Sequence, residues 1–322
     1  MTAESEMPLI SVVTPCLNDT AHLAEMIESF LAQDYPHKEL IVQDGGSGEA
    51  TIEILRRYPI RWMVSQDRGP HDAINKAIAA SAGDIIVVMP ANDSFVAGAF
   101  TRAVQELMGD RELVMVYGDC RITDDQGNLT RIDRPGKLDI DRLFWIHQMM
   151  LQSSYIRREA FQHVGLFDPV IKGPGDTDWV MRAVAAYPSE SFRYVPEVWS
   201  AFRLGKNKSS RGNCNENAKV LLAAHQRFLS DGGNIKRLRL GEARAQAGMH
   251  SQCASWLSRA GKRREAWQHL GEAIRHWPGL LLNSFGLKYA LRTLFGSNLE
   301  GFISKFKTRV RATLSFRSAP QV

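Results

Sequence analysis

Three aspartates close three apolar runs in the first third of the chain. Asp44 ends "ELIVQD", Asp67 follows "IRWMVSQ", and Asp93 follows "DIIVVMPAN". Hard oxygen ligands with basic or amide donors beside them suit a metal-bound diphosphate. Arg68, Lys76 and the glycines of "DGGSG" are candidate donors. Each aspartate also has a plain structural alternative. Asp44 and Asp67 suit turns, and Asp93 suits an N-cap for a helix starting near Val96. Their convergence on one crevice favours a shared site. Further on, "GDTDW" puts Asp176 and Asp178 at the start of a helical pattern. A carboxylate there can serve as a proton acceptor, and an N-cap is the alternative.

These residues need a scaffold that brings strand ends together. From "LISVVTP" to "LVMVYGD", apolar runs alternate with amphipathic segments of helical period. In "HLAEMIESFLAQ", Leu23, Met26, Ile27, Phe30 and Leu31 fall on one face; "HDAINKAIAASA" runs to Gly83, a C-cap candidate. Strands spaced by such helices form right-handed β-α-β crossovers in a mostly parallel sheet covered on both faces. Ligands then bind beyond the carboxyl ends of the strands. "TPCLND", "QDGGSG", "SQDRGP" and "PANDS" fall along that rim. "RITDDQGNLTRI" reads as a hairpin. A strand around "LQSSYIRR", the helices "REAFQHVG" and "DTDWVMRAVAAY" and a strand "SFRYVPEVWSAFRL" follow. Only helices are expected after about residue 213, including one tetratricopeptide-like pair in "ASWLSRAGKRREAWQHLGEAIRHWP", which serves packing because one unit cannot bury its own face. The expected division is a first domain over 1–212 and a basic helical region over 213–322.

The motifs "SVVTPCLND", "ELIVQDGGSGEAT", "SQDRGPHDAINKAIAASAGDIIVVMPANDS" and "GLFDPVIKGPGDTDWVMRA" resemble, in order, those of family-two inverting glycosyltransferases over about residues 8–210. The resemblance implies the glycosyltransferase A-type α/β fold, Rossmann-like, with helices on both faces of the sheet. It implies a nucleotide-sugar donor, usually a UDP-sugar, and a divalent cation, Mg²⁺ or Mn²⁺. Thr14, Pro15 and Asn18 would border the nucleotide, and Asp44 would accept hydrogen bonds from the base. Asp67, Asn75 and Lys76 match the stretch lining the nucleotide pocket. "PANDS" lies where the family has its Asp-x-Asp motif: Asp93 aligns with the metal ligand, Asn92 is placed to bond a ribose hydroxyl, and Ser94 replaces the second carboxylate. Asp176 matches the catalytic base, with Asp178 as second candidate or as the group orienting Arg182. Gly175 stands where Glu or Met is common, and Gln152 matches one half of a frequent His-Gln pair. The implied role is transfer of a sugar to a glycan or lipid-linked hydroxyl in cell-surface polysaccharide synthesis. The altered "PANDS" keeps open a non-catalytic protein that retains the fold.

Composition fits an ordinary globular protein: 322 residues, 44% hydrophobic and 23% charged. Four widely spaced cysteines suggest reduced thiols in the cytoplasm. No leader and no span of about 18 to 20 apolar residues is evident. From Asp231 onward, 16 Lys and Arg face 5 Asp and Glu, so the overall charge of +5 conceals a basic C-terminal third. An anionic surface is the partner this suggests, a phospholipid, a polyanion or nucleic acid, with an anionic membrane foremost. "SNLEGFISKFKTRVRATL" carries Leu299, Phe302, Ile303, Phe306 and Val310 on one face, as an interfacial helix would; a packing helix is the alternative. Nucleic acid is not expected, because the tryptophans there recur at helix-packing intervals. The expected location is cytoplasmic, with peripheral docking at the inner face of the membrane. "FRLGKNKSSRGN" reads either as a loop that closes over donor phosphates or as a linker.

Overall fold

The computed structural model describes residues 7–146, 149–171, 174–204 and 214–282, with Leu287, Ala290, Leu291 and Thr293 beyond them. Most of "FRLGKNKSSRGN" and the whole Leu299–Val310 stripe lie outside the described residues.

Strands β1 (Ile10–Cys16), β2 (Lys38–Asp44), β3 (Arg61–Val64) and β4 (Ile85–Val88) are parallel, in the order β3-β2-β1-β4. Helices α1 (Leu23–Leu31), α2 (Glu49–Arg56) and α3 (Pro70–Ala80) make the crossovers. Alternation sorts the side chains between two cores. Ile10, Val12, Leu40, Val42, Ile85 and Val87 pack with Met26, Phe30 and Leu55 on one face. Val13, Ile41, Ile86 and Val88 pack with Ile74, Ala77 and Ile78 on the other.

The second half of the sheet is mixed rather than mostly parallel. After a two-residue strand β5 (Ser94–Phe95) and helix α4 (Ala99–Gly109) comes β6 (Met115–Thr123), which turns back as the expected hairpin with β7 (Leu129–Asp133). β8 (Ser154–Arg157) runs antiparallel to both β4 and β6, and β9 (Phe192–Arg203) runs parallel to β6 and antiparallel to β5. Between them lie α5 (Ile140–Leu143), α6 (Arg158–Val164) and α7 (Gly175–Ala186). Two local expectations change. Leu31 is 39% exposed, outside the buried face of α1. Helix α3 stops at Ala80 with Ser81 extended, and Gly83 instead lets the backbone pass Leu9 and Ser11, whose atoms a Cβ would meet at 2.4–2.7 Å.

Beyond residue 213 the described elements are helical: α8 (Cys214–Leu229), α9 (Gly232–Ile235), α10 (Glu242–Arg259) and α11 (Arg263–His276), then a 3₁₀ turn at Pro278–Leu282. They share one core with α5 and α7, through Phe144, Trp179, Leu221, Phe228, Met249 and Leu257. Polar anchors fix the register. Asp141 accepts the backbone N–H groups of Arg239 and Leu240, each at 3.0 Å. Gln252 donates to the carbonyl of Phe144 at 2.6 Å. His225 is sealed against Phe144, ring centroids 4.7 Å apart, with Nε2 3.3 Å from the Leu143 carbonyl.

Burial lowers the His225 imidazole to about 4. In the unfolded chain it titrates near its ordinary value of about 6.5. Acid therefore favours the unfolded state between those values, and stability is lost as pH falls through that window. Urea unfolding at pH 7 and pH 4.5 should show a loss on the order of 2 kcal/mol from this group. The loss should be smaller in His225→Gln, which has no proton to take up.

Candidate active site

Four parallel strands end on one edge, and the expected residues must be judged by what they do there. Asp44, fully buried, holds the turn after β2. Its Oδ1 accepts from Gly46 N (2.9 Å) and Ser47 N (2.7 Å), and its Oδ2 accepts from the Ser47 hydroxyl (2.5 Å). The turn reading of Asp44 thus holds, and any further partner must use lone pairs that this turn leaves over. Burial first, and then the charge of Asp44, push the neighbouring Cys16 thiol up to about 12. Asn18, in the left-handed region at φ 54°, takes Gly48 N–H at 3.1 Å and gives its own N–H to Ser47 Oγ at 2.7 Å. It therefore ties the loop after β1 to the turn after β2.

Asp67 stands beside that turn. Its Oδ1 accepts from Gly69 N at 2.9 Å, and its Oδ2 lies where a Cβ on Gly45 would come within 2.6 Å. Gly45 makes room for Asp67, so the two strand ends share one wall. At the start of α3, Asp72 draws in Arg68 (2.9 Å) and Lys76 (3.4 Å). The Arg68 contacts, more than Lys76, hold the Asp72 carboxyl down to about 2. Lys76 also donates to Gln66 O at 2.5 Å, which fastens the loop that carries Asp67.

Two expected pocket residues point elsewhere. Thr14 is fully buried with its Oγ1 4.0 Å from Met26 Sδ, so its side chain faces α1 and not the crevice. Pro15, half-buried, remains at the strand end. Asn75 clamps a distant loop: its Nδ2 donates to Phe167 O (2.7 Å) and its Oδ1 accepts from Phe167 N (3.1 Å). Both ends of the amide are occupied, so it holds the approach to α7 and leaves the nucleotide wall to its neighbours.

Asp93 does not cap a helix, because α4 begins at Ala99 behind Gly98. It sits in the turn after β4, 3% exposed, and its Oδ1 accepts from the backbone N–H of Arg203 at 2.9 Å. The Arg203 side chain reaches both oxygens of Glu25 on α1 (2.7 and 2.6 Å) and the carbonyl of Asp125 (3.1 Å). Arg203 thereby joins three elements around Asp93; sequence reasoning passed it over because it is a lone arginine in a strand. Asn92 is half-buried, with no side-chain hydrogen bond among the described residues. Gln152 is buried, and its Nε2 has no hydrogen-bond partner among the described residues.

Asp176 lies half-buried in the first turn of α7, with Oδ1 accepting from Thr177 N at 2.8 Å. Asp178 is a different case. It is 2% exposed, and its two oxygens take Arg182 (2.9 Å) and Arg227 of α8 (2.5 Å). Arg182 in turn donates to the carbonyls of Val164 (2.8 Å) and Leu166 (2.9 Å). A buried carboxylate whose two oxygens are each taken by a guanidinium group does not receive a proton from an acceptor, so Asp178 is a structural anchor rather than a second base. His71, also missed from the sequence, packs against the start of α7: its ring atoms lie 2.5–2.8 Å from where a Gly175 Cβ would stand.

Among the described residues no group of three His, Cys, Asp or Glu side chains is arranged to hold a metal ion. A cation caged by protein alone does not fit this donor set. A cation that arrives on a diphosphate needs only one or two protein carboxylates. One buried carboxylate with a fixed Oδ1, as at Asp93, fits that requirement.

Residues 11–165 match the model of the family described as Glycosyl transferase family 2. The chain is 26% identical over 202 residues to a PGL/p-HBAD biosynthesis glycosyltransferase of Mycobacterium bovis (strain BCG / Pasteur 1173P2), covering 61% of this chain and 77% of that relative. It is 28% identical over 163 residues to an uncharacterised glycosyltransferase of Haemophilus influenzae, covering 48% of this chain and 65% of the relative. Among solved structures, S. aureus TarS 1-349 in complex with UDP-GlcNAc superposes with TM-score 0.59 at 14% identity, covering 83% of this chain and 81% of that one. The mannosyltransferase PcManGT from Pyrobaculum calidifontis, in complex with GDP-Man and Mn²⁺, superposes with TM-score 0.58 at 18% identity, covering 91% and 89%. These likenesses show the glycosyltransferase A-type fold.

The two aspartates of α7 are separable by experiment. Asp178→Ala leaves the largely buried Arg182 without its carboxylate, while Arg227, 55% exposed, can turn to water; the loss in denaturant unfolding should be about 2 kcal/mol. Asp176→Asn should change stability by less than about 1 kcal/mol.

Proposed function

We propose, on the premise that this chain is a glycosyltransferase with a family-two segment over residues 11–165, that it moves a sugar from a UDP-sugar to a glycan or lipid-linked hydroxyl with inversion. The observation that carries this is the shared edge. Asp44, Asp67 and Asp93 follow the carboxyl ends of β2, β3 and β4, three of the four parallel strands, and the first turn of α7 reaches the same side through His71 on α3. Residues 1–212 would form the catalytic part, and the helices after 213 would buttress α7.

The wall of Asp44, Gly45 and Asp67, with Pro15 and Asn18 at its edge, would receive the nucleoside. Asp44 keeps the turn in place and offers its remaining lone pair to a base N–H. Asp67 stands ready for the ribose, with Lys76 steadying its loop, and Asn92 is placed for a second hydroxyl. Asp93 would hold a divalent cation on the diphosphate; when bound, that cation neutralises the negative charge growing on the leaving group.

The reaction itself is one displacement at the anomeric carbon. The acceptor oxygen forms the new bond as the bond to the diphosphate oxygen breaks, and the electron pair leaves with the nucleoside diphosphate. Asp176 accepts the proton of the attacking hydroxyl. Its place in the first turn of α7 suits a negative side chain. The rival reading, a non-catalytic nucleotide-sugar binder, draws on the single carboxylate of "PANDS".

Incubation with UDP-sugars and Mn²⁺ separates the two, since donor hydrolysis or transfer excludes a mere binder. Asp93→Ala should abolish metal-dependent donor binding in calorimetry. Asp176→Asn should keep donor binding and lose transfer by a factor on the order of 10² to 10⁴; near wild-type turnover would remove Asp176 as base.

Peripheral docking is the proposed location. Among the described residues no helix is long and apolar enough to cross a membrane. The basic C-terminal third would bind anionic lipid at roughly 1 kcal/mol for each Lys or Arg near the surface. The full chain should therefore sediment with anionic vesicles at low salt and be released as salt rises, whereas retention in the supernatant at low salt would end the idea.

A further inference from the structure

We infer that His71 is the positioning residue for Asp176, through a contact that Gly175 alone permits. The inference rests on the reading of Asp176 as base.

Four observations converge. His71 is the second residue of α3 and is 8% exposed. Its Nδ1 lies 2.8 Å from the carbonyl of Ile171. A carbonyl only accepts, so Nδ1 carries the proton and, in the neutral ring, Nε2 keeps its lone pair. The ring stacks on Phe167, centroids 5.8 Å apart at 27°, and Asn75 of the same helix holds both backbone groups of Phe167.

The fourth observation sets the role. A Cβ on Gly175 would lie 2.5 Å from His71 Nε2, 2.6 Å from Cε1 and 2.8 Å from Cδ2. Similar distances to all three atoms place the missing Cβ over the ring face, not in line with the Nε2 lone pair. The imidazole is therefore a flat stop against which the backbone of α7 rests, one residue before Asp176. Any side chain at 175 would push the ring or the helix away. An imidazole on α3 fills the room that a side chain at 175 would need.

The consequence is a mechanical link. His71 follows Arg68 and Pro70 at the start of α3, on the side of Asp67 and the nucleotide wall. It presses on the turn that carries the proton acceptor. Donor-side and base-side elements thus meet at one ring, held by a hydrogen bond at one edge and an aromatic stack at its face.

The test is a variant series in the full chain, read as kcat, donor KM and Kd for UDP by calorimetry. His71→Ala should lower kcat on the order of 10- to 100-fold through misplacement of the base, with UDP Kd within about threefold of wild type. His71→Asn, whose amide N–H can reach the Ile171 carbonyl, should recover part of kcat. Gly175→Ala should resemble His71→Ala, and His71→Ala with Gly175→Ala together should be less impaired than the product of the single losses, because the clash is gone. Wild-type kcat in His71→Ala, or strictly multiplicative single losses in the pair, would overturn the inference. So would a fall in UDP affinity as large as the fall in kcat, which would make His71 a nucleotide-pocket residue. Asp176→Asn, measured alongside, reports on the base itself: activity there rejects that assignment whatever the His71 series shows.

Discussion

The buried carboxylate of Asp178 is the contact on which the geometry of α7 depends. It lies between Arg182 of its own helix and Arg227 of α8. Removing charge from water is costly, and a buried pair is stable only when its hydrogen bonds are complete. Here they are extended outward, because Arg182 also takes the Val164 and Leu166 carbonyls. One aspartate therefore fixes α7 to the helical region on one side and to the loop after α6 on the other. The first turn of α7, with Asp176, is oriented by contacts that lie behind it. The C-terminal helices are in this sense part of the site's support, since Phe144, Trp179, Leu221 and Phe228 belong to one continuous core.

The same economy recurs elsewhere in the fold. Asp44 organises a turn, Asp141 receives two backbone N–H groups from the stretch before α10, and Asp72 gathers Arg68 and Lys76. Asp44 and Asp141 satisfy part-buried backbone donors that would otherwise stay unpaired, a loss of about 1–3 kcal/mol apiece, whereas Asp72 ties down two side chains that reach solvent. Structural and functional readings of an aspartate are therefore not exclusive. Asp44 makes the turn whose bare Gly45 admits Asp67, so the turn shapes the wall.

How much of this was legible in the sequence can be traced to particular residues. The four parallel strands and their helices follow from periodicity, because each pattern is local. The antiparallel insertion of β8 between β4 and β6 does not, because a strand's direction relative to its neighbours leaves no local mark. Thr14 was legible and misread: in a strand it shares parity with Ile10 and Val12, and so lands on the α1 side. His71 and Asn75 are four apart on α3 and so share a face, which was the available signal that both turn toward the same partners. What they meet, Phe167, Ile171 and Gly175, is about a hundred residues distant, and only the tertiary fold joins them.

A site with one carboxylate for a cation has a thermodynamic consequence under the proposed reading. Asp93 already lends Oδ1 to Arg203 N–H, and no cluster of three ligating side chains stands among the described residues. Most of the cation's coordination would then have to come from the diphosphate and water. Binding energies of two ligands that complete each other's site are coupled, and the coupling is reciprocal. The cation alone would bind weakly, the nucleotide alone would bind through its base and ribose, and each would tighten the other by the same factor. Under that reading, Ser94 in place of a second carboxylate would lower the affinity for free metal without removing the site, because the missing oxygen is one that the donor brings with it.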